Sequence, residues 1–324
     1  MIFIFSVSSH PQIPVRHENQ PVAVSFPTAG VRQVEQGGDL PVAQLPASQP
    51  TMPLRNKGSQ DFNGDLTAVS ALVVDDKTDT VLFSKNADEV RPLASITKLM
   101  SAMVLLELPI DWSTSTVVQA EDIDVDNHIN VGEEFVLNDL WNIALIGSSN
   151  NSIKALVRSS GISEDNFVTL MNKKAQNLGL SSAHFVEPTG LDPGNVASAA
   201  DAAKLLKEAL KYNKILKTMQ VGEYYAHPLN QDKSRRVWTT NLLLTNWVPN
   251  DFKVENIVGK TGYIDDSRYN FVVRLGDNYG HALRVVILGA GSNDLRFSEA
   301  RDLAEWTLND YLWPDQDGYS QLVE

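Results

Sequence analysis

Residues Leu93-Ala94-Ser95-Ile96-Thr97-Lys98-Leu99-Met100, "LASITKLM", set a serine and a lysine three positions apart and then run into the apolar stretch Ala102-Met103-Val104-Leu105-Leu106. Coming after Pro92, the segment predicts a helix, and i, i+3 spacing puts Ser95 and Lys98 on one face within reach of each other. A lysine inside a segment that otherwise reads as buried has two explanations. Its stem lies along the core edge with the ammonium in water, or its amine is there to take a proton from the Ser95 hydroxyl. Two residue types at one spacing do not choose between them; the surrounding chain has to.

Upstream, residues 70–74 and 80–84 are β-prone runs flanking Asp75-Asp76-Lys77-Thr78-Asp79, a hairpin signal. Downstream, helical patterns cover residues 138–146, 152–158, 164–178 (closed by Gly179) and 201–210, the last with Ser198 and Asp201 in capping-box positions. Strand character returns after Val254, at 257–263, 269–275 and 283–288, with a turn at 276–280. A final amphipathic helix is expected over 295–312. Strands at both ends with helices between them predict an α+β class: an antiparallel sheet built from N- and C-terminal strands and covered by a helical cluster.

Composition narrows the chemistry. The 324 residues are 43% hydrophobic and 21% charged, as in soluble globular proteins with a sizeable core. A net charge of −13, with no Lys/Arg run and no Gly-rich phosphate loop, disfavours a nucleic-acid partner. The absence of cysteine removes disulfides, zinc–thiolate sites and thiol nucleophiles. The six histidines, among them His128, His184 and His281, show no ligand-like spacing, so neither a metal nor another cofactor is expected. Residues 1–7 are apolar but too short for a membrane span and lack a preceding basic region. They read either as the end of an export signal or anchor that begins upstream, or as a terminus without a role. Residues 8–60 are rich in Pro, Gln, Ser and Gly with Phe26 as the one aromatic, a composition that reads as an extended tether, here beside a membrane surface.

Three short signals occur in order: Ser95-Ile96-Thr97-Lys98, Ser148-Ser149-Asn150 and Lys260-Thr261-Gly262. The first opens the predicted buried helix, the second falls in a turn between helices, and the third lies on a strand. This trio is the one found in penicillin-binding proteins and class A β-lactamases. The blocks around it, "SALVVDDKTDTVLFSKNADEVRPLASITKLMSAMVLLE", "DLWNIALIGSSNNSIKAL", "HFVEPTGLDPGNVASAADAAKLL" and "IVGKTGYIDDSRYNFVV", make the match longer. Over residues 66–312 the chain resembles the low-molecular-weight penicillin-binding proteins, the D-alanyl-D-alanine carboxypeptidase family of serine peptidases. The resemblance implies the penicillin-binding/β-lactamase-like transpeptidase fold. It also implies a serine-type D-Ala-D-Ala peptidase acting on peptidoglycan stem peptides, inhibited by β-lactams, exported and located in the cell envelope. Residues 1–62 are then stub and tether, 63–316 the catalytic domain and 317–324 a tail.

The residue types fit that chemistry. To act as a base Lys98 must be neutral, and burial together with the positive charge of Lys260 is expected to lower its pKa. The helix start offers backbone N–H groups to an oxyanion. By resemblance, the oxyanion hole is the backbone N–H of Ser95 and of Tyr263, and Ser148 and Asn150 relay a proton to the leaving amine and hold the substrate peptide. Ser149-Asn150-Asn151 also fits the second signal, and the family pattern favours Ser148 with Asn150. Lys260 and Thr261 are expected to bind a substrate carboxylate, and Gly262 to leave room for a ligand strand. Arg296 falls where the family places a carboxylate-binding arginine; the alternative is an exposed arginine at a helix start. Glu187, in "FVEPTG", is read as a loop residue, with water activation as the alternative. Ile264 and Arg268 depart from the threonine and glycine usual in the family, which bears on substrate preference. The chain ends soon after its last helix, leaving no room for the trailing all-β domain of some members, a short form that resembles members cutting cross-links.

Overall fold

A computed structural model describes residues 51–323; the apolar stub and residues 8–50 of the expected tether lie outside the described residues. Five strands form one antiparallel sheet: β1 (Ser70–Asp75), β2 (Val81–Lys85), β3 (Val258–Ile264), β4 (Arg268–Gly276) and β5 (Ala282–Ala290). Their spatial order is β3-β4-β5-β1-β2. The N-terminal hairpin therefore joins the C-terminal strands through β1 and β5, with Ser70 opposite Leu288 and Asp75 opposite Leu283. Between β2 and β3 the chain forms α1 (Lys98–Glu107), α2 (Leu137–Ile146), α3 (Asn150–Ser159), α4 (Glu164–Asn177), α5 (Ala199–Leu210) and α6 (Asn213–Met219). Helix α7 (Asn293–Asp310) follows β5. This is the α+β arrangement expected from the pattern.

Alternation along the strands builds two cores, one on each face of the sheet. On β5, Leu283, Val285 and Ile287 pack with Phe297, Ala300, Leu303 and Ala304 of α7, while Val286 and Leu288 join the helical cluster. Phe271 and Phe297 meet edge to face, 4.9 Å between centroids. Covering both faces is why these strands read as nearly continuous apolar runs.

Helix α1 is buried on every side from Lys98 to Leu105, and α3, α4 and α5 pack around it. A helix apolar all round belongs inside its cluster. Burying Leu99, Met100, Met103 and Leu105 stabilises by about 1.5–3 kcal/mol each, which offsets taking Lys98 and Ser101 out of water. Ser101 satisfies its hydroxyl by donating to the Pro188 carbonyl at 2.5 Å. The lysine is thus interior, and the snorkelling explanation fails.

Several boundaries differ from expectation. Helix α7 stops at Asp310, and Tyr311–Leu312 extends to pair with Leu54–Arg55. Tyr319 is buried and its hydroxyl donates to the Met52 carbonyl at 2.7 Å. Packed chain therefore begins inside the expected tether and continues into the expected tail, where Tyr319 is tied to Met52. Ser198 caps α5 by accepting from Asp201 N–H, but the reciprocal half of the capping box is absent. The Asp201 carboxylate instead takes the N–H and hydroxyl of Ser182, and Ser198 N–H goes to the Ser182 hydroxyl. Two short hairpins, Ser115–Val117 with Glu134–Val136 and Glu223–Ala226 with Arg235–Trp238, carry too few apolar residues to show in the pattern.

Candidate active site

The serine expected on an α-helix sits one step earlier, in a 3₁₀ turn over Ala94–Thr97 that leads into α1. Ala94 holds φ +50°, a left-handed conformation that costs an alanine energy and needs its surroundings to enforce it. Leu93, Ala94 and Ile96 are fully buried, which anchors the turn and leaves Ser95 half-exposed between them. Lys98 Nζ lies 2.8 Å from Ser95 Oγ.

The amine has two other partners, Asn150 Oδ1 at 2.5 Å and the Thr189 carbonyl at 2.7 Å. Both can only accept. An uncharged lysine has two N–H bonds and one lone pair, so these acceptors take both N–H bonds and leave the lone pair toward the Ser95 hydroxyl. Burial pushes the Lys98 pKa down to about 7, against the charges of Glu187 and Asp126, which hold it up. Lys98 and Lys260 also oppose each other's charge, as expected for two amines sharing one interior. Lys260 is held well below the usual lysine range, by burial first and then by Lys98 and Arg296.

The turn between α2 and α3 decides the register of the second signal. Ser149 caps α3, its Oγ accepting from Ser152 N–H, and its own hydroxyl is directed to Asp126. Asn151 is tied to the backbone of Asp124 and Asp126. Ser148, at φ +63°, is turned the other way and accepts from Lys260 Nζ at 2.6 Å. Ser148 and Asn150 are therefore the pair brought to Lys260 and Lys98.

On β3, Lys260 also reaches the Thr261 carbonyl at 3.0 Å, and the Thr261 hydroxyl meets that of Thr240 at 2.6 Å. Gly262 is needed for a different reason from the one expected. A Cβ there would lie 2.6 Å from the Leu93 carbonyl oxygen and 3.1 Å from Ser95 N. The space is filled by the chain's own Leu93–Ser95 turn, not kept for a ligand strand. Gly190 closes the turn from the other side, with φ +91° and a Cβ position 1.9 Å from the Ala94 oxygen. Tyr263 follows Gly262 at the edge of the sheet, half-exposed, its hydroxyl donating to Asp265 and its ring 4.5 Å from Tyr269.

Arg296 fits neither description offered by the sequence. It is buried, and its guanidinium donates to the carbonyls of Gly262 (3.1 Å) and Asn270 (3.4 Å) and to Asn293 Oδ1 (2.5 Å). Its contacts brace β3 from beneath. Asn270 adds a second brace, donating to the Pro92 carbonyl at 2.9 Å. Glu187 is a loop residue: one oxygen accepts from Thr189 N–H and hydroxyl, the other from Gly190 N–H and Asn195 Nδ2. Four donors leave it no lone pair aimed at a water. Ile264 and Arg268 pair across the β3–β4 turn, Arg268 exposed at φ +58° where a glycine would sit without strain.

Thr240, Thr189, Gly190 and Asp126 complete the surroundings and were not singled out by the sequence. Only Thr189 and Gly190 had a signal, lying inside the block "FVEPTGLD".

The chain is similar to known proteins. The chain is 34% identical over 258 residues to a D-alanyl-D-alanine endopeptidase of Pseudomonas aeruginosa, covering 77% of this chain and 80% of that one. It is 28% identical over 256 residues to a D-alanyl-D-alanine carboxypeptidase of Bacillus subtilis, covering 75% and 63%. Its fold matches the DD-transpeptidase of Streptomyces K15 with a TM-score of 0.69 at 22% identity, over 76% of this chain and 99% of that one. Penicillin-binding protein D2 of Listeria monocytogenes, solved with ampicillin bound, matches with a TM-score of 0.65 at 27% identity, over 76% and 99%. The sequence profile described as D-alanyl-D-alanine carboxypeptidase matches residues 55–292, which span the whole serine–lysine site, so the chain belongs to that family of serine peptidases.

Proposed function

We propose that Ser95 opens D-alanyl peptide bonds of peptidoglycan stems, forming an acyl-enzyme that water then hydrolyses. The observation that carries this is the 2.8 Å approach of Ser95 Oγ to an interior amine whose pKa is near neutrality. At a pKa of about 7 roughly half of the amine is free at neutral pH, against roughly one part in 3,000 at an ordinary lysine value. Lys98 takes the hydroxyl proton as Ser95 Oγ bonds to the substrate carbonyl carbon. The oxyanion formed is received by the backbone N–H of Ser95 and Tyr263. Collapse expels the amine of D-alanine or of a cross-linked peptide, which takes the Ser148 hydroxyl proton while Ser148 regains one from the protonated Lys98, so the proton lifted from Ser95 leaves with the amine and Lys260 holds Ser148 in place. A substrate carboxylate placed beside Lys260 and Thr261 would restore the charge that burial takes from Lys260.

A second reading concerns the leaving group. Relatives from Pseudomonas aeruginosa, Escherichia coli and Haemophilus influenzae, matched at 34%, 31% and 32% identity, are each named D-alanyl-D-alanine endopeptidase. That favours cross-link cleavage over removal of a terminal D-alanine. Among the described residues no helix is long and apolar enough to cross a membrane. Peptidoglycan as substrate sets the site of action in the cell envelope, with residues 8–50 as our candidate tether.

Intact-mass spectrometry after incubation with penicillin tests the reaction. A stable adduct that disappears in Ser95→Ala is expected. Drug consumed without an adduct would make the protein a β-lactamase, and no reaction would leave it a binding module. Cleavage of a cross-linked dimer, measured beside D-alanine release from a pentapeptide, tests the second reading.

A further inference from the structure

Each of the two acceptors that hold the Lys98 amine is itself held by a carboxylate. Asn150 donates its backbone N–H to Asp126 Oδ2 at 2.6 Å, and Asp126 also collects Asn151 N–H at 3.0 Å and the Ser149 hydroxyl at 3.1 Å. Thr189 donates its backbone N–H and its hydroxyl to Glu187 Oε2, both at 2.7 Å. Asp126 comes from the loop before Glu134–Val136 and Glu187 from the loop before α5, so the two approach Lys98 from separate parts of the chain. Neither residue belongs to the three motifs.

We propose that Asp126 and Glu187 are positioning residues for the serine–lysine pair: by fixing Asn150 and Thr189 they aim the amine's two N–H bonds away from Ser95. The inference rests on the reading of Lys98 as the base.

The charges around the amine sort by element. Glu187 and Asp126 are negative. Lys260 on β3, itself pushed toward neutrality by burial, faces them with Arg296 of α7 behind it. His128 faces Asp126 through Nδ1 at 3.2 Å, and Arg235 holds the His128 carbonyl and Glu133. Burial alone drives an interior lysine toward neutrality, and the two carboxylates oppose that drive. Burial disfavours the Asp126 carboxylate, but the bond from the His128 ring and the backbone N–H groups of Asn151 and His128 outweigh it and lower its pKa to about 2.

Removing either negative charge should let Lys98 lose its proton at lower pH. The variants Asp126→Asn and Glu187→Gln keep size and remove charge; Asp126→Glu keeps charge and disturbs position. Two readouts apply to the full chain. The first is the titration of Lys98 by ¹³C NMR of labelled lysine side chains, assigned by comparison with Lys98→Met. The second is the acid limb of the penicillin acylation rate. Each charge-removing variant should move both midpoints down by roughly half a pH unit or more. The double variant should move them by about the sum, since the two groups approach from independent loops. Asp126→Glu should lower the rate while leaving the midpoint where it is in the wild type. If one variant does not fold, the other still decides. A folded charge-removing variant whose Lys98 midpoint is unmoved, or moves up, overturns the proposal and leaves the carboxylates as loop ties. A wild type in which the NMR midpoint exists but no acylation occurs would overturn the proposed function instead, because the titration does not depend on catalysis.

Discussion

Gly262→Ala isolates the contact between β3 and the nucleophile turn. The new methyl would lie 2.6 Å from the Leu93 oxygen and 3.1 Å from Ser95 N, all backbone atoms that cannot swing aside. Relieving the worst contact needs roughly 0.8 Å of separation between strand and turn. Such overpacking costs about 1–3 kcal/mol, which at this size lowers Tm by roughly 2–12 °C. A displacement near 1 Å at reacting groups costs about 100-fold in rate. Gly259→Ala is the control on the same strand: its methyl would meet the Val272 oxygen at 2.7 Å and Val273 Cβ at 2.8 Å, away from Ser95. Both variants should lose comparable stability in thermal unfolding. Time-resolved intact-mass measurement of penicillin acylation should show about a 100-fold loss in Gly262→Ala and a far smaller one in Gly259→Ala. Acylation by Gly262→Ala within about threefold of wild type, or equal losses in the two variants, would refute the idea that this approach positions the serine.

Other outcomes follow from the same geometry. Lys98→Met should form no adduct and should also change how stability depends on pH. The folded pKa of Lys98 is lowered to about 7 from 10.5, so the unfolded chain holds the extra proton between those values, and stability rises with pH across that window. Lys98→Met should lose its share of that rise in thermal melts at pH 7 and 10, and an unchanged slope would place the amine in water. Arg296→Gln leaves the Gly262 and Asn270 carbonyls short of a charged donor, at a cost of about 1–3 kcal/mol. It should lower turnover with little change in KM for a pentapeptide; a large KM increase alone would restore the carboxylate-binding role.

That Ser95, Lys98 and Lys260 come to one place was legible from the order and spacing of the three signals, and because a helix apolar on all sides leaves an interior lysine few other reasons to exist. The sheet was legible for a similar reason: both its faces are covered, so its strands read as apolar runs bounded by turns. Arg296 was not, since a basic residue in the first turn of a helix looks the same in sequence whether it faces solvent or the underside of a strand. Asp126 and Glu187 were missed as a pair because each acts by accepting backbone N–H groups, and the backbone carries no residue-type signature. The role of Gly262 was misjudged because a missing side chain shows that something comes close without showing what. Leu54–Arg55 was submerged in a Pro/Gln-rich stretch whose average composition hides a two-residue pairing with Tyr311–Leu312.

Strand β5 lies at the centre of the sheet, yet it is the last of the five to be synthesised, and it must slide between β4 and β1 before either half of the sheet is complete. Pairings this remote in sequence form slowly. The serine and lysine are made early, but the strand that seats against them is held only after β5 and Arg296 have docked. A chain that lacks its folded final quarter therefore has Ser95 and Lys98 but not the strand that brings Lys260 to Ser148.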